Sequence, residues 1–172
     1  HLCDRRQRQM CIRDRYNKRV YGVVTNMSIA VERRDYLKHF DCFVCNQIEA
    51  GIFFAEDYEG KTPQELCEII SANVVSAQIP SIVVTMGGEG AVYADCKGNK
   101  GIYPARKVIV RDTTGAGDAF FAGVAIGMTY GKELKEAVEI GTRLAASVII
   151  TTDNVCPRFL PKELGLDIEV EE

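Results

Sequence analysis

The chain has 172 residues, of which 47% are hydrophobic and 26% charged, and its formal net charge is −3. This composition is typical of a globular protein, and the 5 prolines and 15 glycines exclude a collagen-like or low-complexity chain. No apolar run reaches the roughly 18 residues that a membrane-spanning helix needs, and the acidic balance argues against a nucleic-acid binder.

The beginning of the chain differs from the rest, because the first 19 residues hold seven Lys or Arg and only two Asp. A basic arm can bind nucleic acid or a membrane, but residues 1–15 show no apolar period and no signal-peptide pattern. Residues 10–15 read Met-Cys-Ile-Arg-Asp-Arg, which resembles the translation of a transposon adapter used in shotgun sequencing. We therefore expect residues 1–15 to be foreign, and residues 16–172 to be the C-terminal part of a natural domain whose N-terminal part is missing.

Helices and strands alternate along the remaining chain. The patterns predict strands at residues 21–25, 42–45, 81–85 and 107–110, a hairpin of strands at 90–95 and 101–105, and helices at 30–40, 47–55, 63–78, 116–130 and 133–150. The third of these helices has a strong start, since Thr62 can cap it, Pro63 suits its first position and Glu65 completes a capping box. The helix at 116–130 is apolar on nearly all sides, which predicts burial. Buried strands alternating with helices indicate an α/β domain with a mostly parallel sheet and one antiparallel hairpin.

Seven cysteines are present, an odd number without a secretory signal, which indicates reduced thiols in a cytoplasm. Cys42 and Cys45 form a single CxxC pair inside an apolar strand. Residues three apart in a strand face opposite sides, so we favour ordinary buried cysteines over a metal or redox site.

The segment that follows the strand predicted at 107–110 carries the strongest chemical signal. It reads Asp-Thr-Thr-Gly-Ala-Gly-Asp over residues 112–118 and opens a buried helix. Gly115 and Gly117 lack side chains, so backbone amides can converge on an anion at the helix start, a geometry that suits phosphate. Asp118 would repel a bound phosphate, so its presence favours a carboxylate that accepts a proton from a hydroxyl group attacking that phosphate.

Other phosphate-binding and catalytic patterns are missing from the sequence. There is no GxxxxGK[ST] element, the dinucleotide pattern fails because Phe120 stands at its third glycine, and the protein-kinase motifs HRD and DFG do not occur. With only His1 and His39 as histidines, a His-based triad or zinc site is not credible.

Residues 112–120 closely resemble the signature of the PfkB, or ribokinase-like, family of carbohydrate kinases. Asn46 and Glu49 match the family's Asn-x-x-Glu, and residues 85–90 match its Thr-x-Gly-x-x-Gly turn. The resemblance covers roughly residues 20–165, the C-terminal half of the family's usual chain. It implies a ribokinase-like Rossmann-type layered fold, with a mostly parallel sheet, helices on both faces and a small antiparallel hairpin.

The resemblance also implies a role for each matching residue. Asp118 would be the catalytic base, and Gly115, Ala116 and Gly117 would form the anion hole. Asn46 and Glu49 would place Mg²⁺ and the phosphates through water, and Asp112 would belong to a monovalent-cation site for K⁺. The residues expected to contact ATP are Thr85, Gly87, Gly90 and Thr114.

The resemblance therefore implies an ATP-dependent phosphotransferase acting on an alcohol group of a small-molecule sugar or nucleoside, without a nucleic-acid or membrane partner. Residues 152–157 resemble pseudouridine kinases more than ribokinases. A non-catalytic nucleotide-binding module of the same fold and an inactive isolated fragment remain the alternatives. Relatives often pair through a lid in the missing half, which suggests a homodimer for the full-length protein.

Overall fold

The computed structural model describes residues 14–23, 31–32, 34–152 and 159–166. Strands and helices alternate along it. The strands are β1 (Tyr21–Val23), β2 (Cys42–Asn46), β3 (Ser81–Thr85), β4 (Ala91–Asp95) and β5 (Lys100–Tyr103). The α-helices are α1 (Gln47–Phe54), α2 (Pro63–Ala77), α3 (Ala116–Thr129) and α4 (Leu134–Ile149), and short 3₁₀ helices cover Arg34–His39, Gly87–Glu89 and Pro161–Leu164. None of the described helices is long and apolar enough to cross a bilayer.

The strands form one sheet in the order β1-β2-β3-β4-β5. The pairs β1–β2 and β2–β3 are parallel. The Cys96 amide donates to the Pro80 carbonyl at 3.2 Å, so the end of β4 lies beside the start of β3 and the two strands run in opposite directions. The turn from β4 to β5 is closed by the Asp95 amide on the Asn99 carbonyl at 2.9 Å. The expected α/β architecture, with a mostly parallel sheet and an antiparallel hairpin, is confirmed.

The chain divides into two compact units, and the first comprises residues 1–85 and 92–100. The first four residues of β2 and of β3 are buried, as expected of continuous apolar strands in a parallel sheet. Helix α1 packs on both of these strands. Helix α2 begins with the predicted capping box of Thr62 and Glu65 and buries Leu66, Ile70 and Val74.

The second unit comprises residues 86–91 and 101–172. Its helices α3 and α4 cross closely because glycines face each other, and a Cβ atom on Gly123 would lie 2.6 Å from the Gly141 Cα atom. Side chains of both helices and of the segment that follows form the core of this unit, with members Ala119, Ile140, Leu144, Val148, Leu164 and Leu166. The first turn of α3 therefore packs against α4 through Ala119.

Three sequence predictions differ from the structure. The helix predicted at 30–40 is described as two helical residues, 31–32, and a 3₁₀ helix over Arg34–His39, the form that short helical connectors commonly take. The strand predicted at 107–110 is absent from the described chain, and Ile109 there is 86% exposed. Among the described residues, no strand pairs with its β-branched residues. Helix α3 is buried on one face only, since Ile126 is exposed.

Candidate active site

A tight turn precedes α3, in the second unit. Gly115 is the N-cap residue, with φ 79° and ψ −6°, in the left-handed region. A residue with a side chain in this conformation would destabilise the folded protein by about 1–2 kcal/mol. The glycine predicted here from a phosphate-binding pattern is therefore also required by the backbone that turns the chain into the helix.

Asp112 shapes the start of this turn. Its Oδ1 atom accepts a hydrogen bond from the Thr114 amide at 2.8 Å, and this amide holds the pKa of the Asp112 carboxyl below its usual value. The amides of Arg111 and Asp112 both donate to the Ile149 carbonyl, at 2.7 and 3.4 Å. The turn is thus tied to the C-terminal end of α4, which keeps its position independent of a ligand.

Three amides of the turn have no acceptor among the residues that the structure describes. The Ala116 amide donates to the Thr113 carbonyl at 3.2 Å, so it does not belong to this set. The amides without an acceptor are those of Gly115, Gly117 and Asp118. A Cβ atom on Gly117 would meet nothing within 4 Å, so the space beside the Gly117 α-carbon is open. Amides without acceptors at a helix start can donate to phosphate oxygens, and the positive end of the helix dipole favours the negative charge of the phosphate.

Asp118 is the third residue of α3 and is exposed. Its carboxylate forms no hydrogen bond or ion pair with any described residue. The carboxylate is thus available to take a proton from a hydroxyl group placed beside the turn. An internal ion pair would have removed this capacity, and the described part of the chain contains none at Asp118.

The Asn-x-x-Glu element lies in the first unit, at the start of α1. The Asn46 Oδ1 atom accepts from the Glu49 amide, and the Asn46 amide donates to Glu49 Oε2, both at 2.8 Å. The pair is therefore a capping box, which by itself explains why these residue types stand three apart. Because Glu49 Oε1 has no partner within the described chain, the same carboxylate keeps one oxygen available to a ligand.

Thr85 lies next to this pair. It ends β3 and is the register partner of Asn46 at the end of β2, and neighbouring strands lie about 4.8 Å apart. The Thr85 hydroxyl donates to the Cys45 carbonyl at 3.4 Å. The structure thus brings three of the predicted side chains, those of Asn46, Glu49 and Thr85, to the C-terminal ends of adjacent parallel strands, where α/β sheets bind ligands.

The turn after β3 begins the second unit and contains two predicted nucleotide contacts. Gly87 has φ 56° and faces open space. Gly90 differs, because a Cβ atom there would lie 2.1 Å from the Tyr103 carbonyl oxygen. A glycine at position 90 is thus demanded by the close approach of another stretch of backbone.

One contact beside the Asn-x-x-Glu element lies beyond what the motifs could indicate. Gln47 reaches from α1 to the Tyr58 carbonyl, a partner that no sequence pattern identifies. Most of the element at 152–157 falls outside the described residues, so the expected cation site at Asp112 stays a prediction.

The CxxC cysteines are both buried, with Cys42 fully inaccessible and Cys45 3% exposed. Burial raises the pKa of Cys42 to about 12 and raises that of Cys45 as well. Because only the thiolate is reactive, we expect iodoacetamide at pH 8 to alkylate the half-buried Cys96 in the native protein and to leave Cys42 and Cys45 unmodified until urea is added. Peptide mass spectrometry measures the labelling, and native alkylation of Cys45 as fast as Cys96 would contradict the assignment.

Known proteins resemble this chain in sequence and in fold. The family model of the pfkB family carbohydrate kinases matches residues 9–157. A guanosine-inosine kinase from Exiguobacterium acetylicum is 35% identical over 136 residues, which make up 78% of this chain and 44% of that protein. An Arabidopsis thaliana ribokinase, solved with ribose and ATP, matches with a TM-score of 0.72 and 19% identity, over 85% of this chain and 47% of its own. An adenosine kinase from Sinorhizobium meliloti matches with a TM-score of 0.67 and 22% identity, over 84% and 43% of the two chains. The chain thus spans less than half the length of these relatives.

Proposed function

The chain belongs to the pfkB family of carbohydrate kinases, and from this premise we propose that the whole protein transfers the γ-phosphoryl group of ATP to an alcohol group of a sugar or nucleoside. One observation carries the proposal: at one helix start, the turn before α3 combines three amides and a carboxylate that have no partner among the described residues. Amides alone would suit any bound anion. The carboxylate adds a group that can accept the proton of an attacking hydroxyl.

In this proposal each part of the turn has a distinct task. Asp118 accepts the proton of the acceptor hydroxyl as its oxygen approaches phosphorus. The amides of Gly115 and Gly117 donate to the phosphoryl oxygens and hold the charge that shifts during transfer, with Ala116 supplying the backbone between them. Because Gly115 and the Ile149 carbonyl fix the turn before any ligand binds, these donors need no rearrangement during the reaction.

ATP with Mg²⁺ supplies the phosphoryl group and neutralises its charge when bound. We assign Asn46 and Glu49 to the waters around Mg²⁺, with Glu49 Oε1 as the available oxygen. Thr114 would contact the phosphates and Thr85 the nucleotide. The turn with Gly87 and Gly90 would bind the nucleotide with its backbone. Asp112 would contribute to a K⁺ site.

A nucleoside is one acceptor class to test first, since the Exiguobacterium relative is a guanosine-inosine kinase. Sugars remain the other class, because a ribokinase shares the fold. The four described cysteines Cys42, Cys45, Cys67 and Cys96 are free thiols, which supports the proposed cytoplasmic location. The division at residue 16 and a homodimer of the full-length protein stay predictions.

The decisive experiment measures ADP release by the full-length gene product with ATP and Mg²⁺. Guanosine, inosine, adenosine, pseudouridine, ribose and fructose are supplied one at a time, and a reaction without acceptor is the control. Acceptor-dependent ADP release with a phosphorylated product, identified by mass spectrometry, is the expected result. Binding of ATP without turnover on any acceptor would instead identify a nucleotide-binding module and contradict the proposal.

A further inference from the structure

Helix α1 carries Asn46 at its cap and Glu49 in its first turn, but it is only eight residues long. Isolated helices of fewer than about 12 residues are marginal in water. The direction in which Glu49 points therefore depends on contacts that anchor α1 to the rest of the first unit. A capping box closes the helix start but does not by itself prevent the helix from turning about its axis.

Gln47 supplies such an anchor. It lies between Asn46 and Glu49 in the chain, and its Nε2 atom donates a hydrogen bond to the Tyr58 carbonyl. At 3.6 residues per turn, positions two apart point in nearly opposite directions around a helix, about 200° from each other. The Gln47 bond therefore holds the first turn of α1 on the side opposite to the Glu49 carboxylate.

The Tyr58 carbonyl is a fixed point because the Tyr58 side chain is locked. Tyr58 is 2% exposed, and its hydroxyl accepts from Asn73 Nδ2 at 3.0 Å. The same nitrogen donates to Glu56 Oε1 at 3.1 Å, which joins this segment to α2. Burial and the nearby Glu56 carboxylate raise the pKa of Tyr58 to about 12, so its hydroxyl stays protonated at neutral pH.

The segment is also held against α1 itself. The Glu56 amide donates to the Gly51 carbonyl at 2.9 Å. A Cβ atom on Gly51 would lie 2.7 Å from the Glu56 carbonyl oxygen, so the two backbones touch at this glycine. Gln47 thus binds a carbonyl whose position is set independently, by Asn73 on one side and by Gly51 on the other.

We propose that Gln47 is a positioning residue for Mg²⁺-ATP binding: through the Tyr58 carbonyl it fixes the rotation of α1 and so the place of the Glu49 carboxylate. This inference rests on the proposed function. Gln47 takes no part in the chemical step, because it acts through Glu49. The transferred phosphoryl group is bound by the amides of the turn before α3.

The test is Gln47→Met in the full-length protein, which keeps the length of the side chain and removes its donor. Losing one hydrogen bond typically changes an equilibrium about 2–10-fold. We expect the dissociation constant of Mg²⁺-ATP, measured by calorimetric titration, and the KM for ATP to rise by about this factor. The kcat at saturating Mg²⁺-ATP is expected to match the parent. A merely structural defect would lower the active fraction and kcat while leaving the dissociation constant unchanged.

Gln78→Met is the matched control. Gln78 Nε2 also donates to a backbone carbonyl, that of Val75 at 3.3 Å, but at the end of α2. Unchanged Mg²⁺-ATP affinity in Gln47→Met, or equal weakening in Gln78→Met, would overturn the positioning role while leaving the kinase proposal intact. A parent protein that neither binds Mg²⁺-ATP nor releases ADP would overturn both.

Discussion

Replacement of Asp118 by asparagine in the full-length protein is expected to lower kcat by about 10²–10⁴-fold, the usual contribution of a general base. Asparagine keeps the size of the side chain and its place in the first turn of α3 but cannot accept the proton. ATP binding is expected to stay equal or to become tighter, because a carboxylate near the phosphates repels them. Steady-state kinetics and calorimetric titration with ATP measure the two effects separately.

The control for this variant is Glu65→Gln. Glu65 occupies the same third position of α2, where it completes a capping box with Thr62. Removing its charge therefore tests whether any carboxylate in a first helical turn affects turnover. Full activity of Asp118→Asn, or an equal loss in Glu65→Gln, would refute the catalytic role of Asp118.

The second large effect is expected for Gly90→Ala. Gly90 has φ 105°, and an added Cβ atom would lie 2.1 Å from the Tyr103 carbonyl oxygen and 2.7 Å from the Ala105 nitrogen. Backbone cannot move aside as a flexible side chain can. The unfavourable φ and the overlap together should reduce the free energy of unfolding by about 2–4 kcal/mol. The midpoint of urea denaturation, followed by circular dichroism, reports the change.

Gly88→Ala provides the comparison within the same turn. Gly88 is not among the positive-φ glycines, and a Cβ atom on it would meet nothing within 4 Å. Its substitution should leave the urea midpoint near that of the parent. If Gly90→Ala unfolded at the parental midpoint, the close approach to Tyr103 would not be what requires a glycine there.

The glycines of the two motifs are required for different reasons. Gly87 faces open space and is free to lie against a ligand, whereas Gly90 is constrained by the segment that follows β5. Gly115 is constrained by its left-handed conformation, and Gly117 by nothing in the described protein. Of these four positions, Gly117 is therefore the one where a bound ligand, and not the protein itself, is expected to require a glycine.

Local chemistry made much of the architecture predictable. The strand at Ser81–Thr85 follows from its continuous apolar run, and the start of α2 follows from Thr62, Pro63 and Glu65, because caps and burial patterns act between near neighbours. The turn before α3 was predictable for the same reason, since glycine conformation and the helix dipole are local properties.

Predictions failed where the outcome depended on distant partners. The β-branched residues Val108 and Val110 favour a strand, but strands exist only where another strand can pair with them, and none does so in the described residues. In the same way, the apolar residues of α3 predicted burial on all sides, and contact with α4 covers only one face.

The amino-acid sequence alone determined the family, the order of its elements and the residue types at the phosphate turn, because these depend on spacing along the chain. Only the tertiary structure decided that Asn46 and Thr85 are neighbours, that the Ile149 carbonyl holds the turn, and that Gln47 reaches the Tyr58 carbonyl. The first two contacts join residues far apart in sequence, and Gln47 and Tyr58 lie 11 positions apart. The geometry of all three is set by the packing of strands and helices, which no local pattern encodes.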